Sequence, residues 1–366
     1  MNHFIQKLNN CIAVFYKNVQ RDLMLSSWLV YSIGFFLFLN AGNAFCKDSR
    51  EDWDKISGPL PIVNQSPIQL LFLQAIPDRA ETLHKDRYSL HFSVALTNTL
   101  LWQKSEDYYG FIDMETITST MGLKFGISSG AELDVSLPFI YSCPGFMDHF
   151  IFEVENLFND IRSLRKKQDQ NKSANKFTYF VKKNNLTFIA GEKRASGIGD
   201  LTLRLKKKIW NEGNRLPCLS IRLAAKFPTG DENKAFGSGK LDYGFGMLLQ
   251  KNIKRVTAYL NADVIFPGDA FGQQNISLSN FYEIMLGAEY KGSSRFSTMM
   301  QLNYLTKPFE NTGIEMLDKR IASLLLGINY LTESGVFIQG GAIQDIAGSS
   351  NAGSDITFLL NVGKNF

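Results

Sequence analysis

Charged side chains stand at every second position of several otherwise apolar segments, and they are the residues of this chain best suited to chemistry. If these segments are β-strands, alternate residues share one face, so the charges line whatever the strands enclose. Charged walls select ions and solutes in pores, but opposite charges also pair with one another to satisfy a polar interior. The candidates for such a pore lining are Glu132, Asp134, Asp200, Arg204, Lys206, Arg222, Lys226, Asp263 and Glu283.

Support for catalysis is confined to His91 and Ser93, which share one face of a segment two residues apart. A serine activated by a histidine could serve a hydrolase at the rim of a membrane protein, although no third group that would orient the histidine stands out. Asp200, Asp231 and Asp269 each follow a glycine, a pairing typical of turns rather than of metal sites. We therefore predict no catalytic residue, metal or cofactor, and a rim hydrolase remains a remote alternative.

Twelve segments alternate apolar and polar residues, which predicts twelve β-strands. Short turns follow the even-numbered strands and longer loops follow the odd-numbered ones, so the two kinds of connection lie at opposite ends. An even strand count with loops sorted in this way is typical of a bacterial outer-membrane barrel, and a soluble β-sandwich has no reason to sort its loops. We predict an all-β fold, an antiparallel up-and-down transmembrane β-barrel of about twelve strands over residues 88–366. The predicted strands lie near 88–100, 117–127, 131–140, 199–210, 217–227, 241–251, 255–266, 281–291, 295–306, 320–331, 335–346 and 355–366.

The last predicted strand alternates strictly and ends on an aromatic residue, Phe366. An exposed strand of this regularity is prone to aggregation unless it is paired, and closing a barrel pairs it. The pattern resembles the C-terminal assembly signal of Gram-negative outer-membrane barrels, although Lys364 stands where that signal is usually apolar. We expect the barrel-assembly machinery to recognise this strand through Phe366, and outer-membrane lipid to surround the finished barrel.

The N-terminus predicts export. Lys17 and Arg21 precede an apolar run over 28–39, and small residues before Ala44 form a cleavage site, so residues 1–44 are predicted to be a signal peptide cleaved near Ala44. The alternative is an uncleaved anchor helix, for which the apolar core is short. Residues 45–87 lack a regular pattern, and we predict an N-terminal segment that is periplasmic or packed in the lumen. Its apolar run at 68–73 is predicted to be either a short strand packed inside the barrel mouth or an extra edge strand.

Residues 141–198 interrupt the strand pattern and are predicted to form a long outer loop. Apolar residues recur there at helical spacing, which predicts a short helix near 148–164. This helix could fold into the barrel mouth and narrow the pore, or it could rest on the rim or on another loop. Its apolar face would consist of Ile151, Val154, Leu157, Phe158, Ile161 and Leu164.

Four motifs occur together in one order: GPLPIVNQSP at 58–67, PGFMD at 144–148, GIGD at 197–200 and KFPTGD at 226–231. In this order they resemble a bacterial family of outer-membrane proteins, the domain of unknown function 3187. More distantly, the Gly-Asp motifs resemble outer-membrane channels linked to aromatic-compound degradation. The resemblance implies an outer-membrane barrel, and it carries over no substrate and no catalytic residue. The segment after Asp148 departs from the family by its enrichment in Lys and Asn.

Three functions are compatible with these features. The first is a channel or transporter that passes small solutes through the lumen of an outer-membrane barrel. The second is a non-conducting structural or surface-interaction barrel, whose lumen the loop helix and residues 45–87 would fill. The third is the rim hydrolase. Nucleic acid is not expected as a partner, because the net charge of +4 is small and dispersed.

Overall fold

The computed structural model describes residues 58–145, 147, 177–274, 276–345, 354 and 356–366. The predicted signal peptide with its cleavage site near Ala44, residues 45–57 of the N-terminal segment, and the predicted loop helix with its apolar face lie outside the described residues. Among the described residues, no helix has the length and apolarity that crossing a membrane requires.

Within the described residues, fifteen strands form one antiparallel sheet. Twelve of them, the first three and the last nine in chain order, close into a barrel, and the other three pair at its edge. Each barrel strand pairs with the next one along the chain, and the last strand, β15, pairs with the first, β1, from Ser89 opposite Asn365 to Asn98 opposite Ile356. The predicted fold class is therefore confirmed. The strands are β1 Tyr88–Lys104, β2 Tyr108–Ser128, β3 Ala131–Cys143, β4 Thr178–Lys183, β5 Leu186–Ala190, β6 Ser196–Ile198, β7 Leu201–Trp210, β8 Cys218–Phe227, β9 Asp242–Ile253, β10 Val256–Phe266, β11 Phe281–Lys291, β12 Phe296–Leu305, β13 Ile321–Leu331, β14 Val336–Asp345 and β15 Ile356–Asn365.

The connection between β1 and β2 differs from the predicted long loop. Both strands continue past the predicted ends, and only residues 105–107 separate them. The added length has a buried apolar face that includes Leu101, Ile112 and Met114. Strand β4 pairs with β2, and β5 pairs with β4, so this hairpin becomes a small sheet extending from the barrel. The strands form here because the neighbours supply both backbone partners and an apolar contact surface.

The barrel carries apolar side chains on its outer face. Leu205, Leu223, Phe245 and Leu286 are exposed, while the residues between them on each strand point inward and are largely buried. Hydrocarbon offers no partner to a backbone amide, so an apolar outer face is compatible with lipid only if every strand is paired, as closure ensures. Exposed aromatic residues stand near the strand ends, as in the interfacial belts of membrane proteins. They include Trp210, Tyr243, Phe266, Tyr282 and Tyr330.

Residues 58–84 occupy the lumen, and we call them the plug segment. The segment starts near the end of the barrel with the short turns, where Asn329 of β13 binds the carbonyl of Gly58. It reaches the opposite, long-loop end, where the amide of Leu73 donates to Asp242 at the start of β9. It then returns to the short-turn end, where the amide of Leu83 donates to Glu132 of β3. The chain thus crosses the lumen twice before β1 begins.

The predicted strand at 68–73 is wrong, because Gln69–Leu71 form a short 3-10 helix. A strand needs a neighbouring backbone with which to form a ladder, and side chains of the wall take that place here. In the described residues, the backbone–backbone hydrogen bonds of residues 58–83 run within the segment itself, such as Leu70 to Ser66.

The turn of the plug segment packs into an aromatic cluster at the long-loop end. The ring of Phe72 lies edge-on to Phe281 and Phe309, with centroids 6.2 Å and 5.7 Å away. Phe271 stacks on Phe309 at 5.7 Å. Leu317, from the single-turn helix α1 (Glu315–Asp318), is buried in the same cluster. These side chains are buried together, so the turn of the plug segment and the residues around it form one apolar cluster at this end of the lumen.

Candidate functional site in the barrel lumen

All nine residues predicted to line a pore are buried. Eight of them lie on barrel strands, and Asp200 stands immediately before β7. Each of them pairs with another wall charge, with the plug segment, or with both. Their role in lining a conducting pore remains a prediction. The arrangement divides into three groups along the plug segment.

Near the long-loop end, Lys226 on β8 holds the turn of the plug segment. Its ammonium donates to the carbonyl of Leu71 at 2.6 Å, to Asp200 at 2.7 Å and to Ser238 at 2.9 Å. A second carboxylate, Asp242, lies 3.1 Å away. Burying one ammonium between two carboxylates is tolerable because each charge has a partner and the remaining donor is satisfied by the plug carbonyl.

In the middle of the lumen, Arg222 and Glu283 hold the start of the returning arm. Arg222 forms a two-pronged ion pair with Asp263, with both nitrogen–oxygen distances at 2.7 Å. Its remaining terminal nitrogen donates to the carbonyl of Ile76 at 2.5 Å. Glu283 accepts from the amide of Ala75 at 2.8 Å. A guanidinium suits this position because its fixed fork can serve a carboxylate and a carbonyl together.

Nearer the short-turn end, Asp78 is the main anionic anchor of the plug segment. One carboxylate oxygen accepts from both Lys124 on β2 and Lys206 on β7, each at 2.8 Å. Lys206 also pairs with Glu132 at 2.9 Å and donates to the carbonyl of Arg79 at 2.9 Å. Two lysines of the wall therefore bind one carboxylate of the plug segment, and one of them, Lys206, also forms an ion pair with Glu132 of the wall.

Neutral amides form a further set of contacts that the sequence analysis did not single out. Gln301 accepts from the amide of Leu60 at 2.6 Å. Asn261 accepts from the amide of Asp78 at 2.8 Å and donates to its carbonyl at 3.0 Å. These residues stand at inward positions of predicted strands, so the same alternation that identified the charges could have identified them. A charged side chain is the more conspicuous signal in a sequence, although an amide side chain forms hydrogen bonds with a peptide group equally well.

A cavity of about 150 Å³ remains between the plug segment and the barrel wall, lined there by residues of β1, β2, β3, β7, β8, β14 and β15. His91 and Ser93 line it. Their side chains therefore face the interior, and a rim hydrolase built on them is not supported. Beside them, Arg204 donates to Ser136 at 2.8 Å and lies 3.8 Å from Asp134.

Charged groups of both signs lie around the cavity. Its cations are Arg79, Lys124, Arg204 and Arg222, and its carboxylates are Asp78, Glu132 and Asp134. Two charges outside the lining pair with these groups: Asp263 pairs with Arg222, and Lys206 pairs with Asp78 and Glu132. The cavity is therefore lined by polar groups and by charges of both signs.

A closed twelve-stranded barrel with an apolar outer face and a polar, plugged lumen is a β-barrel of the outer-membrane type. Residues 48–366 match the model of the family described as protein of unknown function (DUF3187), and the chain belongs to that family. No curated protein sequence matches it.

Solved structures share the fold. The COG4313 outer membrane channel from Pseudomonas putida F1 is similar at a TM-score of 0.53 and 14% identity, over 80% of this chain and 100% of that chain. The NanC porin gives a TM-score of 0.42 at 7% identity, over 75% of this chain and 98% of that chain. At 14% identity the likeness to the COG4313 channel concerns the fold alone.

Proposed function

We propose that this chain is an outer-membrane channel for small solutes whose lumen the plug segment holds closed. One observation carries the proposal. The inner wall is rich in charged and amide side chains, and many of them bind the backbone of a segment that shares no backbone ladder with the barrel.

The polar wall favours a lumen that is sometimes hydrated. A permanently filled interior gains more from well-packed apolar residues, because burying ion pairs carries a desolvation cost that the pairing offsets only in part. Pairs such as Arg222 with Asp263 would instead find water as soon as the plug segment moved. A polar wall can form hydrogen bonds with the plug segment in the closed channel and with water in the open channel. A wall of leucine would be compatible only with the closed channel.

The way in which the plug segment is attached also favours movement. Side chains of the wall hold residues 58–83, and the segment's own backbone–backbone bonds lie within it. Releasing it therefore breaks no strand pairing of the barrel. In contrast, removing any of the twelve strands would expose two unpaired edges, which the membrane does not tolerate.

The same proposal places the chain in the outer membrane of a Gram-negative cell. The signal peptide would direct export and be cleaved near Ala44, and the barrel-assembly machinery would engage the last strand, ending at Phe366. Lipid would then contact the exposed apolar face described above. No catalytic role, cofactor or metal is part of the proposal.

Planar-bilayer recording of the purified mature protein tests it. A variant lacking residues 58–84 should conduct steadily, while the intact protein should be silent or open only briefly. Heat-modified migration in gels shows whether the variant forms a barrel. A correctly folded barrel without the plug segment that passes no current would refute the proposal.

A reversible lock gives an independent test. Ala80 of the plug segment packs against Cys218 and Leu248 of the wall. An Ala80→Cys variant, with Cys46 and Cys143 replaced by Ala, should form a disulfide to Cys218 that abolishes openings until reductant is added. The matched control carries Cys218→Ser as well and should open equally with and without oxidant. Openings that persist in the cross-linked protein would show that the plug segment need not move.

A second candidate is a non-conducting structural or surface-interaction barrel. The aromatic cluster of Phe72, Phe271, Phe281 and Phe309 favours it, since those rings pack together at the long-loop end as a buried apolar core would. Under this alternative the plug segment is a permanent core, and its removal should prevent folding instead of opening a pore.

A further inference from the structure

We infer that the outer face of the barrel carries a binding site for an anionic phospholipid at the short-turn end, between β10 and β14. An acyl chain of the lipid lies in a groove of the apolar wall, and its phosphate lies at two cations where that groove ends. The inference uses the proposed location in the outer membrane. It does not depend on the channel activity, because the site is outside the lumen.

The groove is formed by small outward-facing residues among larger ones. On β14, a methyl carbon placed on Gly340 would meet one atom within 4 Å, the carbonyl oxygen of Leu359 at 3.8 Å, so the outer surface is open there. Across β10–β13, the outward-facing side chains that line the groove are Val256, Ala288, Tyr290, Thr298, Met300, Leu326 and Ile328. Apart from the hydroxyls of the threonine and the tyrosine, these side chains offer only apolar contacts.

One end of the groove lies beside two cations. Val256 and Tyr290 line the groove and stand opposite each other on β10 and β11. Arg255 directly precedes Val256, and Lys291 directly follows Tyr290. The amide of Lys291 donates to the carbonyl of Arg255 at 2.8 Å, which places the two cations side by side. Like charges directly opposite each other on paired strands are destabilising, so this position favours an anion between them.

The protein itself supplies no anion at this place. In the described part of the chain, neither Arg255 nor Lys291 forms an ion pair. The nearby Glu289 is buried and already has hydrogen-bond partners of its own, and Glu333 pairs with Arg295 at 2.8 Å. The two cations are therefore available to an anion from outside the protein.

The surroundings identify that anion as a lipid headgroup. Short turns face the periplasm in bacterial barrels, so this rim lies at the phospholipid leaflet of the outer membrane. Exposed apolar side chains stand beside the cations at Ile253 and Phe296, as expected for residues at a membrane interface. Basic residues at a membrane surface attract anionic lipids, and a guanidinium matches the geometry of a phosphate.

The charge of the headgroup distinguishes one phospholipid class from another. A zwitterionic headgroup carries an ammonium group of its own, which Arg255 and Lys291 repel. The headgroup of phosphatidylglycerol carries a phosphate and neutral hydroxyls. We therefore expect the site to select phosphatidylglycerol over phosphatidylcholine with the same acyl chains.

The chain offers matched variants for both parts of the site. Arg255→Gln with Lys291→Gln removes the two cations. Its control, Lys240→Gln with Lys307→Gln, removes two cations near the long-loop end that form no ion pair in the described residues.

The groove has its own pair of variants on β14. Gly340→Leu fills the groove. Its control, Ala342→Leu, adds a similar volume two residues further along the same outer face, outside the groove lining.

Native mass spectrometry of the purified mature protein measures the binding of each lipid. We expect the intact protein to prefer phosphatidylglycerol. Removing the two cations should weaken that binding about 25-fold, about five-fold for each cation, and leave phosphatidylcholine unaffected. Gly340→Leu should weaken the binding of both lipids, and neither control should change either one. Heat-modified migration in gels shows that each variant forms a barrel.

Several results would overturn the inference. They are equal binding of the two lipids by the intact protein, a preference that survives the loss of Arg255 and Lys291, and an equal loss in the control that lacks Lys240 and Lys307. A doubled mass that Gly340→Leu abolishes would show that a second copy of the chain covers the groove instead. The channel proposal fails separately, because a plug-deleted barrel that folds and stays silent refutes the channel whether or not it binds phosphatidylglycerol.

Discussion

Replacing Asp78 by Asn should release the plug segment. The substitution keeps the size and shape of the side chain and removes its charge. Asp78 accepts from Lys124 and Lys206 at 2.8 Å each, and its side chain is 19% exposed. No other carboxylate of the plug segment binds two wall lysines in the described residues. Asp78→Asn therefore tests the anchor of the closed state with little change in packing.

The expected magnitude follows from these two contacts. A hydrogen bond to a charged group contributes about 1.5–3 kcal/mol, and an amide oxygen retains part of it. Lys206 keeps Glu132 at 2.9 Å, so it is not left as an isolated buried charge. We expect a net loss of about 3 kcal/mol, which shifts the balance between bound and released plug about 100-fold toward release. In planar bilayers the ratio of open to closed time should rise by that factor until the channel is fully open.

Glu81→Gln is the matched control. Glu81 lies in the same returning arm and pairs with Lys208 at 2.9 Å, but both side chains are partly exposed, at 35% and 21%. An exposed ion pair contributes at most about 1 kcal/mol, so the open-to-closed ratio should change less than about five-fold. Equal effects of the two variants, or an Asp78→Asn protein that stays closed while the plug-deleted barrel conducts, would refute the assignment of Asp78 as the anchor.

Three further variants test a buried ion pair, a close contact and the lipid-facing surface of the barrel wall. Lys226→Met should lower the thermal stability by about 3–5 kcal/mol, because two buried carboxylates lose their shared cation; an unchanged melting temperature by circular dichroism would contradict this. A methyl group on Gly122 would overlap the ring of His91. Gly122→Ala should therefore destabilise the barrel by about 1–3 kcal/mol, and adding His91→Ala should restore the stability in the same melting assay. Leu286→Arg should cost about 2–4 kcal/mol in reversible folding into lipid vesicles, and no cost there would show that Leu286 does not face lipid.

Strand positions were predictable because the barrel has two unlike surroundings. Where lipid lies on one side and the lumen on the other, the sequence alternates, and β15 lies at Ile356–Asn365 against a prediction of 355–366. The pattern fails where both faces are covered. Ile112 and Met114 are buried on one face of β2, and Asp113 and Glu115 are buried on the other. Where both faces of a strand are buried, the alternation of polar and apolar residues no longer distinguishes an exposed face from a buried one. For this reason the residues by which β1 and β2 exceed their predicted ends were predicted to be a loop.

The plug segment illustrates a different limit of sequence reasoning. Alternation identified the charged wall residues but could not identify all of their partners, because several of those partners are peptide groups of residues 58–84, which every sequence carries. The apolar run at 68–73 therefore looked like a strand, although its amides and carbonyls bind Asp242 and Lys226. A non-local partner of this kind leaves no periodic signal.

The inner wall nevertheless contained an indication of the plug segment. A barrel interior with this many charges and amides must satisfy them with water, with each other or with another chain segment. The neutral amides Gln301, Asn261 and Asn329 are the most informative of these residues, because an uncharged side chain cannot be satisfied by an ion pair. Each of these three binds a peptide group of the plug segment. Inward-facing amides on several strands, next to an unpatterned segment ahead of the first strand, therefore predict an occupied lumen.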